Sequence, residues 1–170
     1  MKFRYRLLGA AKPQTRRLNP YHIACVENRW YVIGHDWVRE AMRTFALSRI
    51  KKVELLADVF QRPQDWRIED YLKGSLGIFK STDDFEVVVH FDKWAGQLVG
   101  ERRWHASQEL VDLPGGGVRL RLRLNNIEEV ERWVLSWGMH ATVIRPKMLA
   151  NRVARIAAEL AARYREQPEG

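Results

Sequence analysis

Residues 1–57 hold 12 Lys/Arg against 4 Asp/Glu, and Tyr5, Tyr21, Trp30, Tyr31, Trp37 and Phe45 are set among them. Guanidinium groups pair with phosphate oxygens, and aromatic rings offer faces on which bases stack. Cations interleaved with rings therefore point to a single-stranded nucleic acid or another polyanion as ligand. Most of these rings are expected in a core, because Trp30 and Phe45 lie among apolar neighbours. Tyr31 alternates with Trp30 and Val32, so it is expected on the opposite, exposed side of its strand. Arg43 and Arg49 flank the apolar stretch around Phe45 and Leu47 and are expected beside one sheet edge. For the arginines alone, a solvated basic surface is the plainer reading.

Other chemistries find no support. Gly115, Gly116 and Gly117 join two extended runs rather than a strand to a helix, so they make a hairpin and not a phosphate cradle. His22 and Cys25 lack the further ligands of a metal site, and Cys25 is expected in the core. Ser48, Ser75, Ser81, Ser107 and Ser136 sit in no nucleophile-elbow context. Asp83-Asp84 and Glu128-Glu129 are adjacent residues whose side chains point apart. His105 has no nucleophile signature beside it. The chain is read as a non-enzyme with no cofactor and no metal.

The composition agrees with a binding role. The 170 residues carry 29 Lys/Arg and 21 Asp/Glu, a net charge of +8. Residues 58–84 hold 4 bases and 6 acids, and residues 85–170 hold 13 and 11. The first third thus carries a charge equal to the whole excess, and such asymmetry favours a polyanionic partner there. A single cysteine, no apolar run of membrane-spanning length and no secretory h-region point to a cytoplasmic location without a membrane partner.

The elements that must position these residues are legible from their periods. Lys2 to Leu7 alternates strictly, placing Lys2, Arg4 and Arg6 on one face. Residues 21–26, 30–34, 42–47 and 50–56 are further strands, with a loop over 10–14 and a turn at Asn28-Arg29. Five short strands in 57 residues predict a small bent barrel. Residues 58–84 are read as a helix-containing linker. From 85 onward the order is strand, helix, strand, strand, helix, strand, then a final helix over 147–165. That is the ferredoxin-like βαββαβ arrangement with a C-terminal addition, over 85–170. The class is α+β. Asp92 is the expected cap of the first helix, and Asn126 with Glu129 resembles a capping box. Arg119, Arg121 and Arg123 would line the open sheet face, where an RNA-recognition module needs rings, so that module is disfavoured.

Arg16-Arg17-Leu18-Asn19-Pro20-Tyr21, then Trp30-Tyr31-Val32-Ile33, then Arg43-Thr44-Phe45-Ala46-Leu47-Ser48-Arg49-Ile50 resembles the WYL domain, with Val32 where the name-giving leucine usually falls. Glu101 to Gln108, Leu135 to Gly138 and Val143 to Leu149 resemble the WCX extension, and Asp70-Tyr71-Leu72 with Leu76-Gly77-Ile78 resembles the connector between them. The resemblance implies an Sm-like or SH3-like barrel over 1–57 and a ferredoxin-like WCX domain over 85–170. It implies the ligand-sensing and dimerising region of a bacterial transcriptional regulator. Arg16, Tyr31, Arg43 and Arg49 would line the site of a single-stranded DNA or other nucleic-acid effector, with Tyr21 and His22 as weaker members. Promoter DNA would be read by a helix-turn-helix domain that these residues do not contain. The expected partner besides the ligand is a second copy of the chain. The alternative is a protein-interaction or dimerisation module with no nucleic-acid ligand of its own.

Overall fold

The computed structural model describes residues 1–165. It divides into two compact units with the boundary between Lys73 and Gly74. Positions 166–170, which the sequence reading puts at the end of the second domain, lie outside the described residues.

The first unit contains β1 (Lys2–Tyr5), β2 (Gln14–Val26), β3 (Arg29–Asp36), β4 (Ala41–Ala46), a 3-10 turn (Leu47–Arg49), β5 (Ile50–Glu54) and α1 (Ile68–Leu72). The strands form one antiparallel sheet in the order β4-β3-β2-β1-β5. Strand alternation buries Phe3 and Tyr5 and leaves Lys2 and Arg4 exposed. Phe3, Tyr5, Leu18, Val32 and Phe45 build the core. Flat strands three places apart would stand about 14 Å from each other. Yet the Phe45 ring of β4 lies 5.3 Å from Phe3 and 4.8 Å from Tyr5 of β1. The sheet therefore curls around these rings. Among the described residues β4 and β5 do not pair, so the five strands make a curled sheet with two edges rather than the closed barrel expected.

Local sequence explains the bends. Glu27 and Asn28 take φ of +50° and +58° between β2 and β3, the primed two-residue turn whose twist suits a hairpin. At Gly34 any Cβ would stand 2.1 Å from the Asn19 carbonyl oxygen, so only glycine lets β2 and β3 approach there. The β2–β3 register shifts beside this point, between Pro20 and His22.

Residues 58–73, read as part of a linker, group with this first unit. Tyr21 stacks on Phe60 with centroids 5.9 Å apart and meets Trp66 edge-on at 5.5 Å. Thr44 Oγ1 and Tyr71 Oη are 3.3 Å apart, and Arg62 donates to the Tyr21 carbonyl. This segment lies against the face of the sheet opposite the core.

The second unit contains β6 (Phe85–Phe91), α2 (Lys93–Gly100), β7 (Glu109–Asp112), β8 (Val118–Leu124), α3 (Ile127–Leu135), β9 (Ala141–Arg145) and α4 (Lys147–Arg165). Its antiparallel sheet runs β7-β8-β6-β9. Val87, Val89, Phe91, Leu120, Leu122 and Leu124 point to one face, where Val99, Val130, Val134 and Leu149 of the helices complete the core. Phe91, Trp104, Trp133 and Trp137 meet at near-perpendicular angles at its margin. Asp92 caps α2 by accepting from the Ala95 amide at 2.9 Å. Asn126 accepts from the Glu129 amide at 2.9 Å. The reciprocal half of the capping box is replaced by another bond set. The buried Glu129 carboxylate accepts from the amides of Gly77, Ile78 and Phe79 at 2.8–2.9 Å. The apolar stripe of α4 is buried at Leu149 but exposed at Leu160 and Tyr164.

Candidate functional site

The six residues singled out from sequence divide between the two faces of the first sheet. Arg16 neighbours Leu18 on the core-facing side of β2, and Asp36 of β3 is paired with Leu18 in the ladder. Arg16 is 5% exposed. Its Nη1 donates to Asp36 Oδ2 at 3.3 Å and its Nη2 to Gln14 Oε1 at 2.6 Å. Its Nε is buried without a hydrogen-bond partner. A buried guanidinium needs a counter-charge, and Asp36 supplies it while its other oxygen accepts from the Val38 amide.

Arg43 lies opposite Gly34 and two residues from core-facing Phe45, so it occupies the same face as Arg16. It is exposed. Arg49 ends the 3-10 turn after β4, and its guanidinium sits 5.4 Å from the centre of the Tyr5 ring. That ring faces Phe45, and its hydroxyl accepts from the Ala46 amide. Arg16 and Arg43 thus share the core-facing side of the sheet, and Arg49 stands over the Tyr5 ring that belongs to that side.

Tyr31, Tyr21 and His22 are elsewhere. Tyr31 does point away from Val32, as alternation requires, but it is 6% exposed rather than open. Ile33 shares its side of β3, pairs with His22 and Thr44, and is fully buried. That side is covered by residues 60–71, through Tyr21 on Phe60 and Trp66, His22 beside Trp66 at 6.2 Å, and Thr44 beside Tyr71. The exposure expected for Tyr31 assumed an uncovered second face. Trp30, expected in the core, is 56% exposed near the end of the β2–β3 hairpin. Cys25, also expected in the core, pairs with Trp30 and is exposed. Sequence reasoning missed Asp36 and Gln14 as partners of Arg16. A signal existed for Asp36, one of only 4 acids among the 12 bases of residues 1–57.

Residues 1–55 match the family model of the WYL domain, and residues 83–161 match that of the WCX domain. The chain is a WYL domain followed by a WCX domain. Over 50 residues the chain is 38% identical to protein PafB of Mycobacterium tuberculosis (strain ATCC 25618 / H37Rv) and 40% identical to protein PafB of Mycobacterium leprae (strain TN). Each match covers 29% of this chain and 15% of the relative's length. Among solved structures, a CRISPR Cas-related protein superposes with a TM-score of 0.62 at 14% identity, covering 99% of this chain and 48% of that one. That likeness concerns the fold alone. Proteasome accessory factor B/C (PafBC) of Arthrobacter aurescens gives a TM-score of 0.42 at 22% identity, over 99% of this chain and 26% of that one.

In the WCX unit two of the three outward arginines of β8, Arg121 and Arg123, are engaged by carboxylates. Arg121 pairs with Glu86 at 2.9 Å and Glu109 at 3.1 Å, and Arg123 pairs with Asp84. Bonding to Arg123 holds the Asp84 carboxyl below its usual value, and bonding to Arg121 does the same for Glu86. A cavity of about 560 Å³ on this open face is lined by Glu86, Val88, His90, Arg119, Arg121 and Ile144, among others. His105 Nδ1 lies 2.8 Å from Ser107 Oγ, but Ser107 also bonds the backbone of Arg123 through both its N–H and C=O. The pair ties a loop to β8.

Proposed function

We propose that the chain is the ligand-sensing and dimerisation region of a bacterial transcriptional regulator acting in the cytoplasm. Its WYL unit takes a single-stranded nucleic acid, or an effector of like polyanionic chemistry, on the concave face carrying Arg16, Arg43 and Arg49. The observation that carries this reading is the state of Arg16. Asp36 and Gln14 hold its guanidinium in place, while its buried Nε has no acceptor. Exposed Arg43 and half-buried Arg49 supply further charge, Arg49 resting over the buried Tyr5 ring. Tyr21, His22 and Tyr31 serve from the opposite face by holding the sheet in shape. The curled sheet order is that of an Sm-like or SH3-like barrel opened between β4 and β5. The order β7-β8-β6-β9, with helices after β6 and β8, is that of a ferredoxin-like unit.

The reading is of a binding module rather than an enzyme, and promoter recognition belongs to a helix-turn-helix domain outside these residues. The test is fluorescence anisotropy with a labelled single-stranded oligonucleotide. Arg43→Ala with Arg49→Ala is expected to weaken binding roughly a hundredfold, given about 1.5–3 kcal/mol for each hydrogen bond to a charged group. Circular dichroism should show the variant folded. Binding equal to the parent chain's would overturn the site.

Dimerisation is assigned to the WCX unit. Its open sheet face carries acids and bases together with Val88 and Ile144, a surface that can complement a second copy of itself. Sedimentation velocity checks this, and a dimer with no oligonucleotide affinity at low salt would favour the interaction-module reading instead.

A further inference from the structure

A second cationic surface lies on the other side of the WYL sheet from Arg16, Arg43 and Arg49. Strand alternation turns Phe3 and Tyr5 into the core and so turns Lys2 and Arg4 outward. Across the ladder Lys2 meets Arg17, and Arg4 meets Lys51 on β5. Between these pairings the β1–β5 register slips, which makes room for an extra residue on β5. Lys52 takes φ +52° there. A non-glycine residue in this left-handed region is strained, and such strain tends to mark a functional feature. Lys51 and Lys52 are both exposed, as are Val53 and Glu54 after them.

The charge on this surface is poorly offset. Lys2 pairs with Glu54 at 3.5 Å and Arg17 with Asp58 at 3.0 Å. Among the described residues no carboxylate pairs with Arg4, Arg6, Lys51 or Lys52. Arg4 is nevertheless held in place, donating to Thr15 Oγ1 at 3.1 Å and to the Pro13 carbonyl at 2.9 Å. Arg6 donates to the Ala10 carbonyl at 3.2 Å. Both guanidiniums are oriented by neutral acceptors and keep their charge and remaining donors for an anion. The arginines Arg121 and Arg123 of β8 are the contrast, since acids already neutralise them.

We propose that this convex face, centred on Arg4 and Lys51, binds the phosphate backbone of duplex DNA without reading sequence. No ring stands among Lys2, Arg4, Arg6, Lys51 and Lys52, and the Trp37 ring beside Arg17 already carries that guanidinium 4.9 Å from its centre, so the face offers chiefly phosphate contacts. That favours a duplex over a single strand. The surface is separate from the concave effector site and does not depend on it.

The experiment is fluorescence anisotropy of the full chain with a labelled mixed-sequence duplex of about 20 base pairs, at about 50 and 200 mM salt. The parent chain should bind at low salt and weaken as salt rises. Arg4→Gln with Lys51→Gln should bind at least about tenfold more weakly at low salt. Its further loss on raising the salt should be about tenfold smaller, the effect of two phosphate contacts removed. Arg155→Gln with Arg163→Gln changes the net charge equally, at exposed positions of α4, and should bind like the parent. Arg43→Ala with Arg49→Ala should also keep duplex binding. Circular dichroism confirms that each variant is folded. The proposal is overturned if the parent does not bind the duplex at low salt, or if Arg4→Gln with Lys51→Gln binds as the parent does. It is equally overturned if either comparison variant loses as much affinity as that one. In those cases the lysines of β5 serve only to keep a sheet edge from pairing with other chains.

Discussion

Arg16 and Asp36, twenty positions apart, form an ion pair whose side chains are 6% and 1% exposed, with Nη1 3.3 Å from Oδ2. Removing one partner strands the other charge in the interior. Asp36→Ala is expected to destabilise the WYL unit by about 3–5 kcal/mol. Arg16→Met combined with Asp36→Leu should cost much less, because no charge is left buried. Urea unfolding of the three chains checks this, and equal losses in the single and double variants would show that the pair is not what matters.

Glu129 anchors the start of the WCX unit. Its carboxylate receives three backbone amides from Gly77, Ile78 and Phe79. Leaving buried amides unsatisfied costs about 1–3 kcal/mol each. Glu129→Ala should therefore lower stability by about 3 kcal/mol or more, whereas Glu129→Gln keeps an acceptor oxygen and should lose less. Hydrogen exchange should quicken at Gly77–Phe79 in the alanine variant, and unchanged protection there would contradict the assignment.

His105 makes stability depend on pH in a defined window. Burial, aided by the positive charge of Arg103, holds its pKa below the usual histidine value. Its Nδ1 accepts from the Ser107 amide at 3.1 Å, a bond that suits the neutral ring. The unfolded chain takes up a proton near pH 6.5 and the folded chain only at lower pH. The contribution of the neutral ring is thus complete above about pH 6.5 and is lost as pH falls through the folded value. The stability difference between the parent and His105→Gln should shrink between about pH 7.5 and 5.5 in thermal melts. A difference that does not change with pH would refute this. Asp84, Glu86 and Asp92 are also shifted, but downward. Their contributions are lost only as pH falls below the ordinary carboxylate range near pH 4, outside this window.

Much of the local architecture was readable because it follows short periods. The alternation of Val118 to Leu124 placed Leu120, Leu122 and Leu124 inward and the arginines outward, as observed. Asp92 was legible as a cap because its side chain reaches only to the amide of Ala95. The spacing of Arg43 from Phe45 put both on one side of β4, whereas the 3-10 turn that carries Arg49 over Tyr5 was not legible. Tyr31 shows where such reasoning stops. Its side of the strand was correctly read, but it is buried, on the face that Phe60, Trp66 and Tyr71, far along the chain, meet through Tyr21 and Thr44. Nothing in the spacing of residues 58–73 announces that they return to cover β2, β3 and β4.

The sequence by itself determined most of the strands, though not the first half of β2, where Arg16 lies, together with the helix caps and the excess of positive charge in the first third. These depend on residue type and on neighbours within a few positions. Only the tertiary structure decided which charges are free. It buried Arg16 against Asp36, offset Arg121 and Arg123 with Glu86, Glu109 and Asp84, and left Arg4, Lys51 and Lys52 without carboxylate partners among the described residues. The physical reason is that electrostatic pairing depends on distance in space, and the curled sheet brings together residues that the chain holds tens of positions apart.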